Sequence, residues 1–212
     1  MTAQKVLVLG ATGGTGRALV VQAASGGFSV TALVRHPQRL PEGIGDARVV
    51  TGDILEKAAL RTALRGQDAV ISALGVGPSL KSHGLISRVG PLLVDAMREA
   101  GVRRLVFTSA FGVGSTRDDV PLLPRLFIAT VLRDIYQDKE AGERVIVASE
   151  LDWTLVCPVG LTNGVKTGHY RVGEHLPLRG FPRISRTDVA DCLLSQVRAN
   201  SHIRKRVLVA PG

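Results

Sequence analysis

Apolar residues cluster in seven short, mostly β-branched runs, at residues 6–9, 30–34, 48–51, 69–73, 105–108, 153–156 and 207–209. Several are apolar at consecutive positions, as in Val6-Leu7-Val8-Leu9, which suits strands buried on both faces of a helix-covered parallel sheet. Between the runs lie stretches of helical period at 15–24, 58–64, 85–100, roughly 122–149 and 187–199. Asp188, near the start of the last, suits the positive end of a helix dipole. This alternation predicts an α/β chain with a doubly wound parallel sheet. Residues 160–182 carry five glycines and no period, so they read as a loop-rich insertion at the carboxyl edge, either ligand-binding or a plain surface excursion.

Composition narrows the picture without changing it. A chain of 212 residues, 45% hydrophobic and 21% charged, has apolar material for one domain spanning 1–212 and is too apolar to be disordered. Two cysteines, Cys157 and Cys192, exclude a disulfide scaffold. The net charge of +9 is scattered, with Arg204-Lys205-Arg206 the one tight cluster, so it reads as a solvated basic surface suited to small anions and not as a nucleic-acid interface. No apolar run is long enough to span a bilayer, and residues 1–5 lead straight into the first strand without a signal-peptide pattern. A cytoplasmic protein with no membrane partner is expected. The five histidines and two cysteines have no metal-ligand spacing, so no metal is expected.

Chemistry first shows at Gly10-Ala11-Thr12-Gly13-Gly14-Thr15-Gly16, directly between the first strand and the first helix. Gly10 permits a tight turn, the bare backbone at Gly13 and Gly14 lets N–H groups approach a diphosphate, and Gly16 lets helix and strand pack closely. Thr12 and Thr15 fill the remaining loop positions. The spacing is Gly-x-x-Gly-x-x-Gly, and no Lys-Ser/Thr follows as it would in a mononucleotide P-loop. The second strand ends in Val34-Arg35-His36-Pro37 without the carboxylate that holds an NAD ribose. Arg35 and Arg39 instead suit the 2′-phosphate of NADP(H).

These residues, with Gly52-Asp53-Ile54, Gly66-Gln67-Asp68, Thr108-Ser109-Ala110-Phe111, Leu151-Asp152-Trp153 and residues 183–190, make the chain resemble an atypical short-chain dehydrogenase/reductase of Rossmann-like fold. The resemblance is nearest to the NAD(P)H-binding branch holding flavin reductase/biliverdin-IXβ reductase and the NmrA-like proteins, and it covers essentially the whole chain. It implies that Asp53 and Ile54 flank the adenine, that Leu74 and Gly75 line the path to the nicotinamide, and that Pro158 and Val159 lie beside that ring. It also puts Ser109 at the superfamily's serine position and Lys139 in its lysine slot.

One superfamily feature is missing. Four residues before Lys139, where a catalytic tyrosine belongs, stands Ile135, while Tyr136 is displaced about 100° around the helix. Reducing a ketone needs a positioned acid, whereas an extended conjugated acceptor delocalises the incoming charge. Ser109 is therefore expected to position the ligand, and Lys139 to bind the nicotinamide ribose or the substrate. The expected reaction is hydride transfer from NADPH to a flavin, quinone or linear tetrapyrrole, by a monomer or weak homodimer. Arg117, Arg125, Lys166 and Arg171 are expected to border the acceptor pocket and favour anionic acceptors. The branch usually has a histidine after the proline ending the sixth strand; here Pro158 leads into Val159, which counts against tetrapyrroles more than flavins. The alternative is a non-catalytic NADP(H)-sensing regulator of NmrA type. A nucleotide-sugar epimerase would want the intact Tyr-x-x-x-Lys pair.

Overall fold

The computed structural model describes residues 3–77, 79–178 and 180–212, and the backbone alone of Leu123; Met1 and Thr2, part of the leader-free N-terminal reading, lie outside it, as does Arg179 of the glycine-rich region. Six strands follow the doubly wound order: β3 (Arg48–Thr51), β2 (Ser29–Val34), β1 (Lys5–Leu9), β4 (Ala69–Ser72), β5 (Arg104–Thr108) and β6 (Asp152–Pro158), all parallel. All seven apolar runs are strands of this sheet. The seventh run forms a strand (Lys205–Pro211) that pairs in parallel with β6, and an antiparallel strand (Tyr170–Gly173) closes that edge.

Alternation along each strand divides the core. Val6 and Val8 face one layer with Leu19, Val20 and Ala23 of α1 (Gly14–Ser25). Leu7 and Leu9 face the other, with Leu60 and Leu64 of α2 (Lys57–Leu64) and with Ile86, Val89 and Leu93 of α3 (Leu85–Ala100). These four apolar residues of β1 are fully buried, each contributing roughly 1.5–3 kcal/mol. That burial on both faces is why the run reads as continuously apolar. Among the described residues no helix is long and apolar enough to cross a membrane.

One expectation needs correction. The single helix expected over 122–149 is two, α4 (Leu122–Thr130) and α5 (Arg133–Ala148), broken at Val131-Leu132. There the Val131 and Leu132 N–H groups both turn back to the Phe127 carbonyl. Apolar residues run through the break without a glycine or proline, so periodicity hides it. Residues 160–182 are loop-rich, as expected, with two short strands among them. Beyond the Tyr170–Gly173 strand, numbered β8, they include β7 (Gly160–Thr162), paired with β9 (Arg183–Ser185). The last helix, α6 (Arg186–Ala199), follows directly, and the final sheet strand is β10.

The register of α5 matters most for the site. Gly142 crosses α3 so closely that a Cβ there would lie 2.2 Å from the Ile86 carbonyl oxygen. One turn earlier, the Asp138 carboxylate accepts the Ile86 and Ser87 N–H groups at 2.9 Å each and the Ser87 hydroxyl at 2.6 Å. Asp134 accepts the Ser82 N–H at 2.5 Å. Carboxylates thus satisfy orphan donors at and before the start of α3, which leaves α5 little freedom to rotate.

Candidate active site

The glycine turn lies at the carboxyl end of β1, where strand order reverses between β1 and β4, the usual ligand crevice of such sheets. Gly10 has φ +80°, and a Cβ on it would meet the Ala73 carbonyl oxygen at 2.8 Å. Gly16 is more constrained still, since its Cβ would fall 2.0 Å from the Gly10 carbonyl oxygen. Between them Thr12 is half-buried, Gly13 and Gly14 are exposed, and Thr15 is buried. No side chain caps α1 and no carboxylate stands in its first turn. Its leading N–H groups and dipole are therefore left for an external anion. A cradle this bare, at this end of the sheet, fits a dinucleotide diphosphate.

At the tips of β2 and β3, Arg35 is 71% exposed and reaches Asp53 only at 4.0 Å. Asp53 also accepts the Leu55 N–H at 2.9 Å, and Ile54 packs against the core beside it. Arg39 belongs to the 3-10 turn Pro37–Arg39, and its carbonyl accepts a 2.6 Å bond from the Arg17 guanidinium. Three arginines thus gather at one corner; Arg17, on the exposed face of α1, carries no sequence signal beyond its charge.

From Gly13, Gly14 and Thr15 a cavity of about 750 Å³ runs past Leu74, Gly75, Pro158 and Val159 to Ser109 and Lys139. The structure therefore brings together the loop, the strand-end residues and both expected polar groups. Arg35, Arg39, Asp53 and Ile54 do not line that cavity; they lie at the β2–β3 corner.

Behind Ser109 lies a network that sequence reasoning missed. Its hydroxyl donates to Glu143 of α5, which is 1% exposed. The Arg206 guanidinium, 13% exposed on β10, donates to the same carboxylate at 2.7 Å. Arg206 is thus not solvated as its basic cluster implies; strand alternation turns it inward. Glu143 follows Lys139 by one helical turn, the only spacing clue to its position. With its hydroxyl hydrogen directed at Glu143, Ser109 offers lone pairs to the cavity. Nearby, Arg206 donates to the Cys157 sulfur at 3.7 Å, and burial pushes that thiol up to about 11, so it stays protonated and inert.

Lys139 donates to the Thr108 carbonyl at 3.5 Å. Desolvation lowers its pKa, opposed by the negative charge of Glu143 and, more weakly, of Asp138. Tyr136 lines the same cavity despite its displaced position, but its hydroxyl donates to the Phe111 carbonyl at 3.1 Å. Burial, with a smaller effect of Cys157, pushes the phenol up to about 12, making it a poorer acid than a free tyrosine.

The far wall is apolar: Phe111, Val120, Phe127, Ile128, Leu132, Leu161 and Phe181, the last 73% exposed at the rim. The expected anion-favouring border is a correction, because none of its four residues lines the cavity. Arg117 pairs with Glu140 at 3.6 Å, Arg125 with Asp118 at 3.4 Å and Lys166 with Asp191 at 2.5 Å. Arg171 donates to the Pro211 carbonyl at 3.2 Å. The first three charges are thus paired locally.

A doubly wound sheet with an uncapped helix behind a glycine turn at its switch point defines a Rossmann-type nucleotide-binding protein. More narrowly, the chain belongs to the NAD(P)H-binding family whose pattern matches residues 10–200. It is 32% identical over 174 residues to an uncharacterised chloroplastic protein of Arabidopsis thaliana, covering 78% of this chain and 62% of that one. Identity is also 32%, over 194 residues, to the 3-diazoavenalumate denitrifying reductase of a Streptomyces species, covering 80% and 60%. The chain thus spans about three fifths of these two relatives' length. Among solved structures, the anaerobilin reductase ChuY of Escherichia coli O157:H7 has the same fold, with TM-score 0.80 and 21% identity over 97% of this chain and 96% of that one.

Proposed function

We propose that the protein is an NADP(H)-dependent reductase acting on a planar conjugated acceptor such as a flavin, quinone or linear tetrapyrrole. The observation that carries this reading is the cavity itself. It leads from a diphosphate cradle to an apolar wall broad enough for a flat ring system, and its one tyrosine is tied to a backbone carbonyl and held protonated. When bound, NADPH supplies the hydride. The chain's contribution is to bind, orient and exclude water.

In this reading residues Gly10, Thr12, Gly13, Gly14, Thr15 and Gly16 hold the diphosphate, and Arg35 with Arg39 takes the 2′-phosphate. Asp53 and Ile54 flank the adenine. Leu74, Gly75, Pro158 and Val159 confine the nicotinamide against the sheet edge. Ser109, held by Glu143, accepts a hydrogen bond from an N–H or O–H in the cavity, while Lys139 donates to a ribose hydroxyl. The apolar wall stacks the acceptor, and solvent supplies the proton that a delocalised anion needs. Relatives that include a reductase support the class of reaction.

The test mixes purified protein with NADPH and FMN, riboflavin or a short-chain quinone and follows the nicotinamide absorbance. Saturable turnover with at least one acceptor is expected. Tight NADP(H) binding without turnover on any of them would refute the reductase and favour an NmrA-type sensor.

A further inference from the structure

We infer that Arg186 clamps the diphosphate of the bound dinucleotide from the side opposite the glycine turn, an inference that rests on the dinucleotide lying in that turn. Arg186 is the first residue of α6 and belongs to the carboxyl-terminal part of the chain, far in sequence from the loop. Its side chain nevertheless lies on Gly14. A Cβ at Gly14 would meet Arg186 Cδ at 2.7 Å and Nε at 2.9 Å, and the three nearest atoms from elsewhere in the chain all belong to Arg186. The missing side chain at Gly14 is what makes room for the guanidinium.

Two bonds hold the arrangement. Arg186 donates to the Asn163 side-chain oxygen at 2.7 Å, which aims the guanidinium across the loop. Gln22 of α1 donates to the Thr187 carbonyl at 2.9 Å, tying the first turn of α6 to α1.

Electrostatics make this placement costly without an anion. A cation in the first turn of a helix opposes the dipole. Asp188 in the same turn offsets part of this, but its carboxylate is taken by Ser185, Thr167 and Gly168 and does not pair with Arg186. Arg186 also faces the positive end of α1, where neither cap nor carboxylate offsets it. Among the described residues no carboxylate lies within ion-pair distance of Arg186, whereas Arg117, Arg125 and Arg206 each have one. An unneutralised guanidinium held between two helix N-termini over a bare glycine suits a doubly charged diphosphate, which its planar fork can bind through two oxygens.

Calorimetry with NADP⁺, NAD⁺ and 2′-AMP on wild type, Arg186→Ala and Arg186→Lys tests this, because 2′-AMP carries the adenosine end without the diphosphate. Arg186→Ala should weaken NADP⁺ and NAD⁺ alike by about 10- to 100-fold, leave 2′-AMP within about twofold, and keep the wild-type unfolding midpoint. Arg186→Lys should recover part of the loss by restoring charge without the fork. Unchanged NADP⁺ affinity in Arg186→Ala, with saturable wild-type binding, would overturn the clamp alone. A parallel loss of 2′-AMP binding would overturn it too, by showing an effect transmitted through the fold. Wild-type protein that binds neither dinucleotide would overturn the clamp together with the site it rests on.

Discussion

A single methyl group added at Gly16 tests whether the glycine turn is geometrically compelled. The new Cβ of Gly16→Ala would lie 2.0 Å from the Gly10 carbonyl oxygen, 2.7 Å from its carbon and 3.0 Å from Ala11 Cα. The turn cannot step aside, because the Gly10 carbonyl accepts the Gly13 N–H at 3.0 Å and Gly10 is itself pressed against the Ala73 carbonyl. Helix α1 must therefore retreat by about 1.4 Å to reach an ordinary contact. That retreat disturbs Leu19, Val20 and Ala23, all buried against the sheet. Overpacking of this kind costs about 1–3 kcal/mol in stability. It also carries the helix's leading N–H groups away from the diphosphate. Losing two charge-assisted hydrogen bonds at about 1.5–3 kcal/mol each would weaken dinucleotide binding by at least about 100-fold. Urea unfolding and calorimetry with NADP⁺ read the two effects separately. Gly13→Ala, whose Cβ would sit 3.3 Å from the same oxygen, should cost much less stability. A Gly16→Ala protein with wild-type midpoint and wild-type affinity would refute the reasoning.

Other consequences can be measured with the same two assays and a turnover assay. Tyr136→Phe should alter NADPH oxidation less than about threefold, against the 10²–10⁴-fold loss expected on removing a true general acid; a loss of that size would restore Tyr136 as the proton donor. Glu143→Ala leaves Arg206 buried without its partner and should lower unfolding stability by about 3–5 kcal/mol, with Glu143→Gln milder because it can still accept from Ser109; an unaffected Glu143→Ala would refute the network. Asp188 titrates below its ordinary value: burial raises it, but bonds from Ser185, Gly168 and Thr167 more than offset that. Its stabilising effect is therefore complete above about pH 4, the unfolded-state value, and drains as pH falls through the lower folded value. Urea midpoints of Asp188→Asn should decline less steeply than wild type over that acid limb, and parallel declines would contradict the assignment.

The legibility of the chain follows from what each feature costs. Residues 6–9 declare a buried strand because both faces of β1 meet helices, and the first glycine and Gly16 declare the turn because no other residue fits. The doubly wound parallel sheet is readable on those terms, whereas the antiparallel β8 edge and the β7–β9 pair are not. Nor are Glu143 and Arg206, since their pairing joins α5 to β10 across 63 positions and each alone reads as a surface charge. Arg186 was hidden similarly, as its significance lies in the space left by Gly14. The break between α4 and α5 is masked in the sequence because Val131 and Leu132 keep the apolar rhythm while the hydrogen bonding changes. The expected anionic border failed for a related reason. A sequence shows where Arg117 and Lys166 stand but not that Glu140 and Asp191 already neutralise them.

The most direct measurement of the central claim is calorimetric titration of the wild-type protein with NADP⁺ and with NAD⁺. One saturable site is predicted, tighter for NADP⁺, with that preference collapsing in Arg35→Ala. Absence of saturable heat with either nucleotide would contradict the account at its foundation, while equal affinities unaffected by Arg35→Ala would remove the phosphate-selecting corner.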